Sequence, residues 1–148
     1  MFIVNVEGAI NKDGKWLMIR RSMKEEHAGG ELSLVGGKVE REGHCTDILE
    51  KTLMREIFEE VGVQVTILGY VNSSSFVTDL GEHVVDIVFL CEYESGKPFA
   101  KSPDEVDEVM WLTTEQVMNH EGLPDYLVEN ITLADSKLRS SKVNRSFC

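Results

Sequence analysis

Between Asp47 and Gly62 the chain carries two faces that only a helix can keep apart. Leu49, Leu53, Ile57 and Val61 recur every four residues and make one apolar stripe. Glu56, Glu59 and Glu60 stand at i, i+3 and i+4, so their carboxylates share a neighbouring face. The spacing predicts a helix that starts at Asp47, an N-cap with Glu50 three residues on, and stops at Gly62. Such a helix must bury its stripe against an apolar partner, and the remaining sequence offers that partner as strands.

Phe2 to Ile10 is apolar and β-branched, Asn11 to Gly14 is a turn signal, and Trp16 to Ile19 reads as the returning strand of a hairpin. After Arg20 and Arg21, residues 22–31 read as a polar loop, and Leu32 to Val35 as a short strand entering Gly36 and Gly37. Beyond the helix, Val63 to Leu68 alternates as a strand, and Val84 to Tyr93 is a longer apolar one. The intervening 72–83 segment, with its three successive serines, is read as a polar loop at the rim of a site. Val109 to Leu112 is a further strand, and Thr113 or Thr114 caps a short helix. The row Leu127, Ile131, Ala134, Leu138 predicts a last helix, followed from about 139 by a frayed basic, serine-rich tail. No linker or internal repeat divides the chain, so the expectation is one domain over residues 1–148, a mixed β-sheet covered by helices.

At 148 residues a single domain can bury roughly 70% of the surface that its unfolded chain exposes. The net charge of −11 argues against non-specific binding to long nucleic acid, whose phosphates it would repel. An acidic protein can still act on anions where divalent cations bridge the like charges. Cys45, Cys91 and Cys148 are odd in number and far apart, which suits neither a disulfide framework nor a zinc site. The N-terminus lacks the basic start of a signal peptide, and no apolar run reaches the length of a membrane span, so a cytoplasmic protein is expected.

Three carboxylates on one helix face repel one another unless a cation lies between them. A hard dication such as Mg²⁺, with Mn²⁺ as the alternative, prefers oxygen ligands and is typically completed by substrate phosphates. Taken alone, Glu-x-x-Glu-Glu is more often an ordinary solvated acidic face than a metal site. Its surroundings distinguish the two.

Gly36-Gly37-Lys38-Val39-Glu40, a charged loop and then Arg55 to Val63 resemble the box of the Nudix hydrolases. In that family the pattern is Gly, five residues, Glu, seven residues, then Arg-Glu-aliphatic-x-Glu-Glu-x-Gly-aliphatic. The second half matches at every specified position, over the box-like segment 36–63. The first half departs: four extra residues separate Gly37 from Arg55, and the early Glu has no clear counterpart, with Glu42, Gly43, His44 or Asp47 falling near its place.

The resemblance implies a MutT-like α/β/α sandwich with a mixed sheet between helices. It implies metal ligation by Glu56, Glu59, Glu60 and the Gly36 carbonyl, with Arg55 as structural support. A further acid near the strand that ends in Trp111 is expected to bind metal or activate water, and Glu105 is the choice, Glu108 the reserve. Glu56, Glu59, Glu60 and Glu105 are thus the catalytic candidates. Arg21, His27 and Phe76 are the candidates for substrate contact. His44 reads as a solvated loop residue, Trp16 and Trp111 as packing, and Met18, Met54 and Met110 as core. The implied activity is Mg²⁺-dependent hydrolysis of a phosphoanhydride in a nucleoside diphosphate linked to another group, a nucleoside triphosphate or nucleotide sugar among them. The partners implied are a small nucleotide substrate and a second copy in a homodimer. A Nudix-fold nucleotide-binding regulator without hydrolysis, or an acidic interaction domain, are the competing readings.

Overall fold

A computed structural model describes residues 1–25 and 28–146, the last five of these by backbone alone. The apolar N-terminus forms β1 (Phe2–Lys12), which turns at Asp13-Gly14 into β2 (Lys15–Arg21). Then come β3 (Leu32–Ser33), β4 (Val35–Lys38), α1 (Ile48–Val61), β5 (Gln64–Val77), β6 (His83–Ser95), β7 (Val106–Thr113), α2 (Thr114–Asn119) and α3 (Asp125–Ser146). The seven strands form one mixed sheet in the order β3-β2-β1-β6-β5, with β4 pairing β1 and β7 pairing β2. β1 runs parallel to β6 and the other pairs are antiparallel.

Strand alternation divides the core into two layers. Val6, Ile10, Leu17 and Ile19 face one side, where Leu53, Ile57 and Val61 of α1 pack on them. Ala9, Trp16, Met18, Val88 and Leu90 face the other, covered by Val117 of α2 and by Leu127, Ile131 and Ala134 of α3. The result is the expected α/β/α sandwich, with α1 held over the β1–β4 region on one face.

Several local expectations are corrected. Asp47 is left-handed (φ 57°) and makes no side-chain cap bond, so the helix begins from a turn rather than from a capping box. The capping box exists elsewhere: Thr113 accepts from the Gln116 backbone N–H at 3.1 Å, and the Gln116 side chain accepts from the Thr113 N–H at 2.8 Å. The serine-rich segment is a strand, not a loop, because β5 pairs with β6 as far as Val77 opposite His83. Its serines sit on an edge strand, where one face needs no apolar residue. Leu32 to Val35 is two strands with different partners, β2 and β1. Met54 is 44% exposed, since it falls off the Leu53–Ile57 stripe, whereas Met18 is fully buried and Met110 partly so. α3 itself runs on into the basic tail as far as Ser146, there being no Gly or Pro after Pro124 to stop it, and the end of the tail, with Cys148, lies outside the described residues.

Candidate active site

The C-terminal half of α1 brings Glu56, Glu59 and Glu60 to the edge of the sheet beside β4. Glu60 is buried at the end of the apolar stripe, Glu56 is half-buried and Glu59 is exposed. Arg55 lies 3.4 Å from Glu56 and 3.5 Å from Glu59, bridging the two carboxylates. Gly62, left-handed at φ 72°, ends the helix and lets its N–H return to the Phe58 carbonyl.

Two adjacent glycines carry β4 past this helix for different reasons. A side chain at Gly36 would collide with the Val6 and Glu7 backbone, which pairs with it. A side chain at Gly37 would collide with the Glu56 carboxyl. The first glycine allows the strand pairing; the second leaves room for the acid.

Glu105 arrives from the turn before β7. Its N–H donates to Ser102 O, and its carbonyl accepts from Ser22 N–H at 2.9 Å, fixing it beside the end of β2. It joins Glu56, Glu60, Gly36, Gly37 and Glu40 in lining one cleft. Glu108, the reserve candidate, points instead to Arg20 at 3.4 Å. A β-bulge between Arg20 and Arg21 separates their fates: Arg20 pairs with Glu108, while Arg21 lines the cleft and lies 3.7 Å from Glu25.

The electrostatics are those of crowded acids. Burial, then hydrogen bonding and charge from Glu105, pushes the Glu60 carboxyl up to about 9. Burial also raises Glu56; Arg55 opposes that rise, and Glu59, Glu105 and Glu40 add to it. Among the described residues no three acidic, His or Cys side chains are arranged around one point as ready metal ligands. Glu59 is held to Arg55, and Glu60 faces Glu105. The chemistry of the set nevertheless fits a hard dication, because the buried Glu60 Oε2 has no hydrogen-bond partner. That oxygen needs either a proton or a cation.

Beside this cleft, and sharing Asn5, Glu7, Arg21 and Lys38 with it, lies a cavity of about 630 Å³ under the β5–β6 hairpin. Phe76 and Tyr126 line it. On its floor Asp86 is only 4% exposed, and Asn5 Nδ2 donates to Asp86 Oδ1 at 2.8 Å. Glu7 is raised well above the usual carboxyl range, first by burial and then by its hydrogen bond to Asp86. Sequence reading missed Asn5, Glu7, Lys38, Glu40 and Asp86. The available signal was a polar side chain inside an otherwise apolar strand, as at Asn5, Glu7 and Asp86.

Of the remaining candidates, His27 lies outside the described residues. His44 is exposed in the long loop. Trp16 is fully buried and donates to Thr114 Oγ1 at 2.8 Å, and Trp111 packs edge-on against Tyr93; neither lines the cleft or the cavity.

The NUDIX domain model matches residues 3–130. Among solved structures, the chain is similar to a MutT NUDIX hydrolase from Burkholderia pseudomallei at 26% identity and TM-score 0.75, over 90% of this chain and 98% of that one. It is similar to a MutT protein from Methanosarcina mazei Go1 at 26% identity and TM-score 0.78, over 92% and 94%. The NUDIX domain of Shewanella oneidensis NrtR, solved in complex with ADP-ribose, shares the fold at 17% identity and TM-score 0.74, over 93% and 89%. No curated protein matches the sequence. Among the described residues no helix is long and apolar enough to cross a membrane.

Proposed function

This chain belongs to the Nudix hydrolase family, and from that premise we propose that it cleaves the phosphoanhydride of a small nucleoside diphosphate derivative with the help of Mg²⁺. The observation that carries the reading is the buried Glu60 oxygen without a partner, at the meeting point of α1, β4 and Glu105. Glu56, Glu59 and Glu60, with the Gly36 carbonyl, would hold the cation. Once bound, Mg²⁺ supplies charge neutralisation on the phosphate oxygens and a more acidic attacking water.

The protein's own residues do the rest. Arg55 positions Glu56 and Glu59. Glu105, exposed and lining the cleft, would take the proton of the attacking water. Arg21, in the wall shared by the cleft and the cavity, would bind a phosphate or a developing negative charge. Phe76 in the cavity wall offers an aromatic face to the rest of the substrate. We take residues 1–148 as one catalytic domain, working in the cytoplasm on nucleotides rather than on long nucleic acid.

The test is a panel of nucleoside triphosphates, nucleotide sugars and ADP-ribose, incubated with Mg²⁺, with Mn²⁺ or with a chelator. Release of phosphate, pyrophosphate or a nucleoside monophosphate that stops on chelation is the expected result. Binding of these compounds without turnover under any metal condition would favour a nucleotide-binding regulator instead.

A further inference from the structure

With the chain acting on a nucleotide, as proposed above, we propose that the 630 Å³ cavity takes the nucleobase and that Asp86, fixed by Asn5, selects bases carrying N–H donors on their pairing edge. The cavity has the volume of an ordinary small-ligand site. It opens from the phosphate-side cleft through shared residues, so a ligand with its phosphates at the glutamates extends into it. Ile3 and Val84 from the sheet, and Phe76 and Leu80 from the hairpin, give it apolar walls that favour a planar ring over a hydrated sugar. Acidic side chains outnumber basic ones around it, which disfavours a second anionic arm.

Asp86 gives the cavity its selectivity. It stands on β6 in register with Asn5 on the parallel β1, so the 2.8 Å bond between them is set by the sheet itself. A carboxylate offers about four lone-pair sites, so bonds to Asn5 and Glu7 leave acceptors for a ligand. Guanine presents two adjacent donors, N1–H and the 2-amino group. Adenine and cytosine present one amine beside a ring-nitrogen lone pair. Uracil presents one N–H between two carbonyl oxygens, which a carboxylate repels. The expected order is guanine first and uracil last.

Titration calorimetry with GMP and UMP in Mg²⁺ tests this without turnover, because neither contains a phosphoanhydride. The wild-type chain is expected to bind GMP at least about tenfold tighter than UMP, the discrimination of a good edge contact. Asp86→Asn should bring the two within about threefold of each other, since an amide no longer accepts at both atoms. Phe76→Ala, an exposed position, should weaken both ligands and leave the unfolding midpoint in place. Equal wild-type affinities, a preference that survives Asp86→Asn, or no change in Phe76→Ala overturns the assignment. Should Asp86→Asn fail to fold, the wild-type comparison and Phe76→Ala decide it. Failure of the hydrolase reading looks different: no phosphoanhydride is cleaved, while GMP and UMP are still told apart.

Discussion

Gly37 lies so close to the Glu56 carboxyl that a methyl group at position 37 would occupy the same space. The second glycine of the pair is therefore part of the carboxylate geometry, although it carries no functional group. Gly37→Ala is expected to displace Glu56 and lower turnover sharply while the chain still folds, because the obstacle is a side chain that can move. Gly36→Ala meets backbone instead and should lower stability, by on the order of 1–3 kcal/mol as overpacking does. Steady-state kinetics and chemical denaturation of the two variants separate these effects. Equal losses of stability in both would contradict the distinction.

Glu60 connects catalysis to stability. Glu60→Gln should abolish turnover and leave the fold intact, because the amide keeps the shape but cannot hold a cation as the carboxylate does. The metal-free protein offers an independent check. The folded-state value of about 9 lies above the ordinary 4.5, so the folded chain keeps a proton that the unfolded chain releases between them. Stability contributed by that proton is full below about 4.5 and is lost as pH rises toward 9, with a slope of up to about 1.4 kcal/mol per pH unit. Denaturation midpoints across this range in a chelator should fall more steeply in the wild type than in Glu60→Gln, where the raised Glu7 and Glu56 still contribute a decline. A shared slope would show that Glu60 is not the group responsible.

The difference between what the sequence reveals and what it hides follows from periodicity. Leu49, Leu53, Ile57 and Val61 repeat on one face, and the same register places Glu56, Glu59 and Glu60 beside them, so α1 and its acids are visible in one dimension. Residues 72–77 are hidden because Ser73, Ser74 and Ser75 belong to an edge strand whose exposed positions carry no alternation. Asp47 misleads because its cap residue type is real, but its backbone is left-handed. Asn5 and Asp86 stand 81 positions apart and meet only because β1 and β6 are parallel neighbours, a pairing that no local pattern encodes. In the sequence only family resemblance favours Glu105 over Glu108; in the fold the bulge at Arg20/Arg21 is the feature that separates their surroundings.

The cysteines differ in environment and should differ in reactivity. Cys91 is fully buried, and burial pushes its thiol up to about 12, whereas Cys45 is half-buried in the long loop beside Lys51. Thiolate is the reactive form, so brief alkylation of the native protein at neutral pH should label Cys45 and spare Cys91. Peptide mass spectrometry reads the outcome. Cys91 labelled as fast as Cys45 without denaturant would mean that the α1-side core opens readily.

Glu105 and Glu108 provide the sharpest test of the catalytic assignment, since they share a loop-to-strand segment and a side chain but not a direction. Glu105 lines the cleft and presses on Glu60, while Glu108 is spent on Arg20 across β2 and β7. If Glu105 takes the proton of the attacking water, Glu105→Gln should lower kcat by about 10²-fold or more, with a smaller change in KM. Glu108→Gln loses only an exposed ion pair, worth at most about 1 kcal/mol of stability, and should keep nearly full activity. Metal affinity must be measured beside kcat, because a ligand role for Glu105 would instead raise the Mg²⁺ concentration needed for half-maximal rate. A full rate recovered at high Mg²⁺ would make Glu105 a ligand rather than the base, and would leave the proton-accepting role to a helical acid, Glu56 or Glu59.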